Sequence, residues 1–148
     1  MTDEQQLIRV IIADDHNMVR KGLRVLLEDF DDLEVIAECT DGQYAVDTCR
    51  KDCPDVVLMD MIMPRLNGIE ATVEIKAACP NTQIIALTSF SDEDHVKNAL
   101  EAGAVGYLMK DISGEELANA IRRAHSGEST LSPEAAQVLI RATTRPPK

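Results

Sequence analysis

Five short apolar runs punctuate the chain: Leu7 to Ala13, Leu33 to Ala37, Val56 to Met59, Ile84 to Leu87 and Val105 to Met109. Each is continuous rather than alternating, which is the pattern of strands covered on both faces. Between the runs the period changes. Val19, Leu23, Leu26, Leu27 and Phe30 fall on one helical face, as do Ala45, Val46 and Cys49 in the second interval and Val96, Leu100 and Ala104 in the fourth. Asn67-Gly68-Ile69-Glu70, Ser91-Asp92-Glu93-Asp94 and Ser113-Gly114-Glu115-Glu116 each offer a capping side chain with an acid three residues on, marking helix starts. Strict alternation of strand and helix implies right-handed crossovers. It predicts an α/β fold, a (βα)5 doubly wound parallel sheet.

The pattern breaks at Ser126-Gly127-Glu128-Ser129. Ser132-Pro133-Glu134 then starts a short sixth helix, with proline at its first position, carrying Ala136, Leu139 and Ile140. It runs out at Thr143-Thr144-Arg145-Pro146-Pro147-Lys148. Residues 1–127 therefore read as one domain, and 128–148 as a linker with an extra helix leading toward a further domain.

A length of 148 residues allows one substantial core. No apolar run approaches the ~20 residues of a membrane span. Met1-Thr2-Asp3-Glu4-Gln5-Gln6 lacks the basic start and apolar stretch of a signal peptide, so a cytoplasmic location without membrane association is expected. A net charge of −11 argues against this chain gripping nucleic acid by itself, because that affinity comes from cationic neutralisation of phosphates. Simple solubility and a clustered cation site both fit the acidity. Cys39, Cys49, Cys53 and Cys79 form no C-x-x-C pair and are expected to be reduced, structural thiols.

The strand ends carry the chemistry. The first ends in Asp14-Asp15, the third in Asp60, the fourth in Thr88-Ser89 and the fifth in Lys110. In a parallel sheet these ends share one edge, and a topological switch point would bring the carboxylates to one crevice. Three carboxylates a few ångströms apart need a cation or a raised pKa. Mg²⁺ fits oxygen ligands and keeps several waters. Lys110 offers a point charge for phosphate, and the Thr88 hydroxyl can donate to a phosphoryl oxygen. Singly, these residues have plainer readings. Asp14-Asp15 is equally a helix-capping pair and Tyr107 a half-buried strand aromatic. His16 reads as a first-turn helix residue, since phosphoryl transfer needs no protein base. Met59, Met61 and Met63 read as core and loop filler. Lys21, Arg24 and Glu28-Asp29 read as a solvated helix face.

Taken jointly, the Asp14-Asp15 pair, Asp60 with Pro64 and Asn67-Gly68, Thr88 and Lys110 resemble the receiver domains of two-component response regulators over roughly residues 7 to 127. Ile11-Ile12-Ala13-Asp14-Asp15-His16, Asp41-Gly42 and Gly106-Tyr107-Leu108-Met109-Lys110 look most like the NarL/FixJ-type branch. The resemblance implies a flavodoxin-like sheet in the order 2-1-3-4-5. It implies that Asp60 takes a phosphoryl group from a sensor histidine kinase. Mg²⁺ would be held by Asp14, Asp15, Asp60 and the main-chain carbonyl of Met61. Thr88 and Tyr107 would form the switch pair, Tyr107 moving inward, and Lys110 would clamp the phosphoryl group. Ile62 and Phe90 would gate the attacking water. The protein would not be a turnover enzyme. Its partners would be the kinase, a second copy on phosphorylation, and DNA only through a C-terminal helix-turn-helix domain outside this chain. Many receivers place proline after the lysine, with a cis peptide; here Asp111 follows, and a cis bond at a non-proline costs ~3 kcal/mol.

Two other readings remain at this stage. One is a stand-alone receiver acting in phosphorelay or by protein binding. The other is a flavodoxin-like or phosphatase-like enzyme, which suffers from the lack of a Gly-rich loop after the first strand and of a second acid two residues after a strand-end aspartate.

Overall fold

A computed structural model describes residues 7–63, 65–89, 93–128, 130–131, 137 and 140, with only the backbone at 93–95 and 130–131. Strands and helices alternate as β1 (Ile8–Ala13), α1 (Asn17–Glu28), β2 (Leu33–Cys39), α2 (Gly42–Lys51), β3 (Val56–Asp60), α3 (Gly68–Ala78), β4 (Gln83–Thr88), α4 (Glu93–Ala102), β5 (Gly106–Met109), α5 (Gly114–His125) and β6 (Thr130–Leu131). All pairings are parallel, in the order β2-β1-β3-β4-β5-β6. The first five strands have the expected flavodoxin-like order, with the switch point between β1 and β3.

Successive side chains on a strand point to opposite faces, so each continuous apolar run feeds two cores. Ile11, Val57, Met59, Ile84, Ala86 and Tyr107 pack with Cys49, Ala71, Ile75 and Val96 of α2, α3 and α4. Val10, Ile12, Leu58, Ile85 and Leu87 meet Leu23, Leu27, Leu117 and Ile121 of α1 and α5. Each fully buried aliphatic side chain contributes roughly 1.5–3 kcal/mol, and the central strand β3 is wholly apolar until its last residue, Asp60. Met61 and Met63 fill the first core as expected.

Helix starts follow the local chemistry. Asn67 with Glu70, and Ser113 with Glu116, form complete capping boxes. Ser91 and Asp92, in the other cap expected from sequence, lie outside the described residues. So do residues 132–136, 138–139 and 141–148 of the expected sixth helix and tail, Ala136 and Leu139 among them; Gln137 and Ile140 are helical.

Three features depart from expectation. Thr130 and Leu131, read as linker, add a sixth strand to the outer edge of β5, Leu131 opposite Tyr107. Cys53 and Cys79 are joined in a disulfide with a Cα–Cα separation of 5.8 Å, whereas Cys39 and Cys49 are free and buried. The bridging pair is 26 residues apart in sequence, but the approach to β3 and the end of α3 meet at the amino edge of the sheet, opposite the strand-end acids. Lastly, the polar side of α1 is not simply solvated. Arg20 Nε (2.9 Å), Lys21 Nζ (3.2 Å) and Arg24 Nη1 (2.5 Å) converge on the carboxylate of Glu38 in β2. The hydrogen bond from Arg24, helped by Lys21 and Arg20, outweighs burial and holds the Glu38 carboxyl down at about 2.

Candidate functional site

Beyond β1 the backbone N–H of Asp14 still donates to the Cys39 carbonyl (3.0 Å), and Arg20 Nη1 donates to the Asp14 carbonyl (2.8 Å). That anchoring holds the Asp14 side chain inside the carboxyl edge, 1% exposed. Asp60 is the last residue of β3, 3% exposed and paired with Leu87 of β4. The chain reverses immediately: the Ile62 N–H donates to Asp60 Oδ1 (3.1 Å), and the Gly68 N–H donates to the Met61 carbonyl (3.1 Å). A Cβ on Gly68 would lie 2.2 Å from the Asp60 carbonyl oxygen and 2.6 Å from the Met61 Cα. The aspartate's position therefore depends on a glycine eight residues later. Pro64, within the same loop, lies outside the described residues.

Lys110 follows β5, its N–H donating to the Thr88 carbonyl (2.9 Å). Its Nζ reaches 3.0 Å from Asp14 Oδ2 and 3.1 Å from Asp60 Oδ2. The peptide to Asp111 is trans, as are all others among the described residues. Burial pushes the Asp60 carboxyl above its ordinary range; Asp14 adds to this, while the Ile62 N–H and Lys110 pull the other way. Burial alone would weaken the Lys110 ammonium, but the Asp14 and Asp60 carboxylates more than reverse that and raise its pKa. The lysine is thus a fixed positive charge between two buried acids.

One lysine does not satisfy this site. Asp14 Oδ2 and Asp60 Oδ2 are buried and accept no hydrogen bond among the described residues. Lys110 Nζ ion-pairs with both, at 3.0 and 3.1 Å, but supplies one positive charge against several carboxylates. Asp15, partly exposed, adds a third carboxylate; oxygen atoms of Asp14, Asp15 and Asp60, with a ring nitrogen of His16, all lie within 4.8 Å of one another. Two buried oxygens without hydrogen bonds, plus a surplus of negative charge, are what a hard divalent cation with oxygen ligands neutralises. The residues present fit Mg²⁺ on that ground.

Thr88 ends β4 one residue beyond the partner of Asp60 and is 2% exposed. With Ser89, Met109, Lys110 and Asp111 it lines an open crevice of about 300 Å³ at the carboxyl edge. Tyr107 does not join this group. It sits opposite Ala86 in β5, fully buried in the core that includes Val96 and Ala99 of α4. The expected inward movement therefore finds the ring already inside. Ile62 is half exposed on the rim above Asp60, and Phe90 lies outside the described residues.

His16 is the residue that sequence reasoning misjudged. It is the N-cap of α1 rather than a first-turn residue, with extended backbone and no side-chain capping bond. Its N–H donates to Asp14 Oδ1 (2.8 Å), and its ring Nδ1 lies 3.0 Å from Asp14 Oδ1, 3.3 Å from Asp15 Oδ1 and 3.9 Å from Asp60 Oδ2. Its place directly after two acids was the available signal.

The family described as the response regulator receiver domain matches residues 10–122. The chain is 47% identical over 136 residues to the transcriptional regulatory protein LiaR of Bacillus subtilis, covering 91% of this chain and 64% of that protein. It is 38% identical over 142 residues to the response regulator UvrY of Escherichia coli, covering 96% of this chain and 65% of that one. The chain thus spans less than two thirds of the curated relatives it matches. Among solved structures, a LuxR-family two-component response regulator from Aurantimonas superposes with a TM-score of 0.88 at 34% identity, covering 95% of this chain and 100% of that chain. The response regulator ChrA of a heme-sensing two-component system superposes at 0.76 with 37% identity, covering 96% and 68%.

Proposed function

We propose, because this chain belongs to the response regulator receiver family, that it accepts a phosphoryl group on Asp60 from the phosphohistidine of a sensor kinase and switches a transcriptional output. The observation that carries this reading is the pair of buried, hydrogen-bond-free oxygens of Asp14 and Asp60 facing Lys110. The Ile62 N–H occupies Asp60 Oδ1, which leaves Oδ2 as the attacking atom. Oδ2 forms the new P–O bond as the P–N bond to the kinase imidazole breaks, and the electron pair departs with that nitrogen. Phosphoryl transfer is mostly positioning and charge neutralisation. Lys110, held positive by its acidic neighbours, sits where the transferred group's oxygens would arrive.

Asp14, Asp15 and Asp60 would hold Mg²⁺, which would supply charge neutralisation for those oxygens. The Met61 carbonyl is the weakest member of the expected ligand set, since the Gly68 N–H already uses one of its lone pairs. The Thr88 hydroxyl, at the mouth of the crevice, is the donor that a phosphoryl group on Asp60 would draw in. Movement there changes the surface of α4, β5 and α5, the face through which a second copy or an output domain would respond. Among the described residues no helix is long and apolar enough to cross a membrane, and we place the switch in the cytoplasm, where its kinase's catalytic part would meet it. LiaR is named a transcriptional regulatory protein, which is the ground for a DNA-directed output reached beyond this chain.

Incubation with acetyl phosphate and Mg²⁺, followed by intact mass, should add one phosphoryl group. Asp60→Asn should add none, and Asp15→Asn should add it far more slowly while keeping the fold. An unlabelled wild-type protein, or labelling that survives Asp60→Asn, overturns the reading.

A further inference from the structure

Asp14 lies one residue beyond the last pairing of β1 with β3, Ala13 with Met59, and Asp60 is likewise the residue after that pair. The β1–β3 ladder therefore does not fix how the two buried carboxylates face each other. The connection between β2 and α2 touches the backbone on both sides. At its start the Cys39 carbonyl accepts from the Asp14 N–H (3.0 Å). Three residues later Gly42 meets the loop that follows Asp60. A Cβ on Gly42 would lie 1.8 Å from the Leu66 carbonyl oxygen and 2.6 Å from the Leu66 carbonyl carbon. Gly42 is not among the glycines with positive φ. It is needed for space, so that α2 can press directly on the Leu66 peptide.

That loop does not hold its own shape. Arg65 has a φ of 65°, a left-handed conformation that a non-glycine residue keeps only where its surroundings impose it. The Arg65 side chain is mostly exposed and imposes nothing. The constraint comes from the buried Met63, from Leu66 packed against the core, and from Gly42 on the outside. Asp41 in turn fixes Gly42. As the N-cap of α2, its Oδ1 accepts from the Tyr44 N–H (2.8 Å) and its carbonyl from the Ala45 N–H (3.1 Å). Its other oxygen is 3.7 Å from Arg65 Nε, a contact too long and exposed to add much.

The geometry points to Asp41 and Gly42 as positioning residues for phosphoryl acceptance. The inference rests on the receiver reading above for its consequence. Neither residue lines the crevice or belongs to the acidic cluster. Both act through Leu66. They hold the β3–α3 loop where the Ile62 N–H keeps Asp60 Oδ1 and leaves Oδ2 facing Lys110. The same connection holds Asp14 through Cys39, so one short segment sets the spacing of both buried acids.

The test compares wild type with Gly42→Ala, Asp41→Ala, Asp41→Asn and Val46→Ala. Val46 is buried on α2 and belongs to the core alone, so its truncation destabilises without touching the loop. Each is labelled with acetyl phosphate and Mg²⁺ at a temperature where circular dichroism shows it folded. Gly42→Ala should lower the maximum rate about ten-fold or more, with little change in the acetyl phosphate concentration that gives half of it, because misplacement acts on the reacting geometry. Asp41→Ala should slow labelling about three-fold or more. Asp41→Asn should stay within about two-fold of wild type, because asparagine caps as well as aspartate. Val46→Ala should melt lower yet label at the wild-type rate. In the unphosphorylated protein, the Ile62 amide resonance should move in Gly42→Ala and Asp41→Ala and stay in place in Asp41→Asn and Val46→Ala. If Gly42→Ala does not fold, the Asp41 pair decides alone. Equal rates in Asp41→Ala and Asp41→Asn, or slowing in Val46→Ala that matches its loss of stability, overturn the proposal. If wild type labels while the variants show no such pattern, the receiver reading stands and the brace is lost. If wild type does not label, the Ile62 resonance still decides whether Asp41 and Gly42 hold the loop.

Discussion

The same substitution, glycine to alanine, should have opposite effects at two helical positions of this protein. Gly22 lies in the middle of α1, exposed, with nothing within 4 Å of where a Cβ would go. Alanine there gains helix propensity and loses unfolded-state freedom, so Gly22→Ala should stabilise by about 0.5–1 kcal/mol. Gly68, the first residue of α3, would gain similar propensity, but its Cβ would sit 2.2 Å from the Asp60 carbonyl oxygen and 2.6 Å from the Met61 Cα. Both obstacles are backbone, so no side chain can swing aside. The β3–α3 turn must open by roughly 1 Å, and strain of that kind costs about 1–3 kcal/mol. The clash outweighs propensity, and Gly68→Ala should be net destabilising.

Thermal unfolding should show this as a melting temperature raised by a few degrees for Gly22→Ala and lowered for Gly68→Ala, at about 2–4 °C per kcal/mol for a chain of this size. The functional effect should be larger than the thermal one. The opened turn carries Asp60 and the Ile62 N–H that holds its Oδ1, and misplacement by about 1 Å can cost up to 100-fold in rate. Labelling from acetyl phosphate should fall at least ten-fold in Gly68→Ala and stay unchanged in Gly22→Ala. If Gly68→Ala melts at or above wild type and labels at the wild-type rate, steric contact at α3 does not position the phospho-acceptor.

Four further outcomes are expected. The folded-state pKa of Glu38 is depressed from 4.5 to about 2, so its contribution is present above pH 4.5 and is lost as pH falls toward 2. The full shift corresponds to about 3 kcal/mol, which screening of the half-exposed Arg24 and exposed Lys21 reduces to about 1–2. Glu38→Gln should cost that much at pH 7 and flatten the acid limb of urea midpoints between pH 5 and 2; parallel limbs would discount the cluster. Cys53→Ser removes a bridge across 26 residues and should cost about 2–4 kcal/mol in urea unfolding without slowing phosphorylation, because the bridge lies at the opposite edge of the sheet. Thr88→Ala should accept phosphate yet leave amide signals of residues 93–125 near their unphosphorylated positions, and a full wild-type shift would remove Thr88 from the switch. Ile62→Asn combined with Phe90→Glu should speed phosphate loss about ten-fold, equivalent to ~1.4 kcal/mol of barrier, since polar side chains can orient the attacking water where apolar ones cannot; identical decay curves would show that these two side chains do not gate it.

The five-stranded architecture was legible in the sequence because its causes are local. Continuous apolar runs mean strands covered on both faces, and Asn67 with Glu70 or Ser113 with Glu116 cap helices through contacts three residues long. The acids and Lys110 were legible for a related reason. In a parallel sheet every strand ends at the same edge, so residues at the ends of strands share a crevice however far apart they lie in the chain. What the tertiary structure alone decided depends on distances between elements. Cys53 finds Cys79 only because two loops share the amino edge, and Glu38 gathers three cations only because β2 lies against α1. The depth of Tyr107 is set by α4 packing over β5, and the sixth strand by where the chain returns after α5. His16 lies between the two cases: its position beside the acids is sequence, but the approach of its ring to their carboxylates is visible only in the fold. A side chain's chemistry is written in the chain, while its neighbours are written by packing.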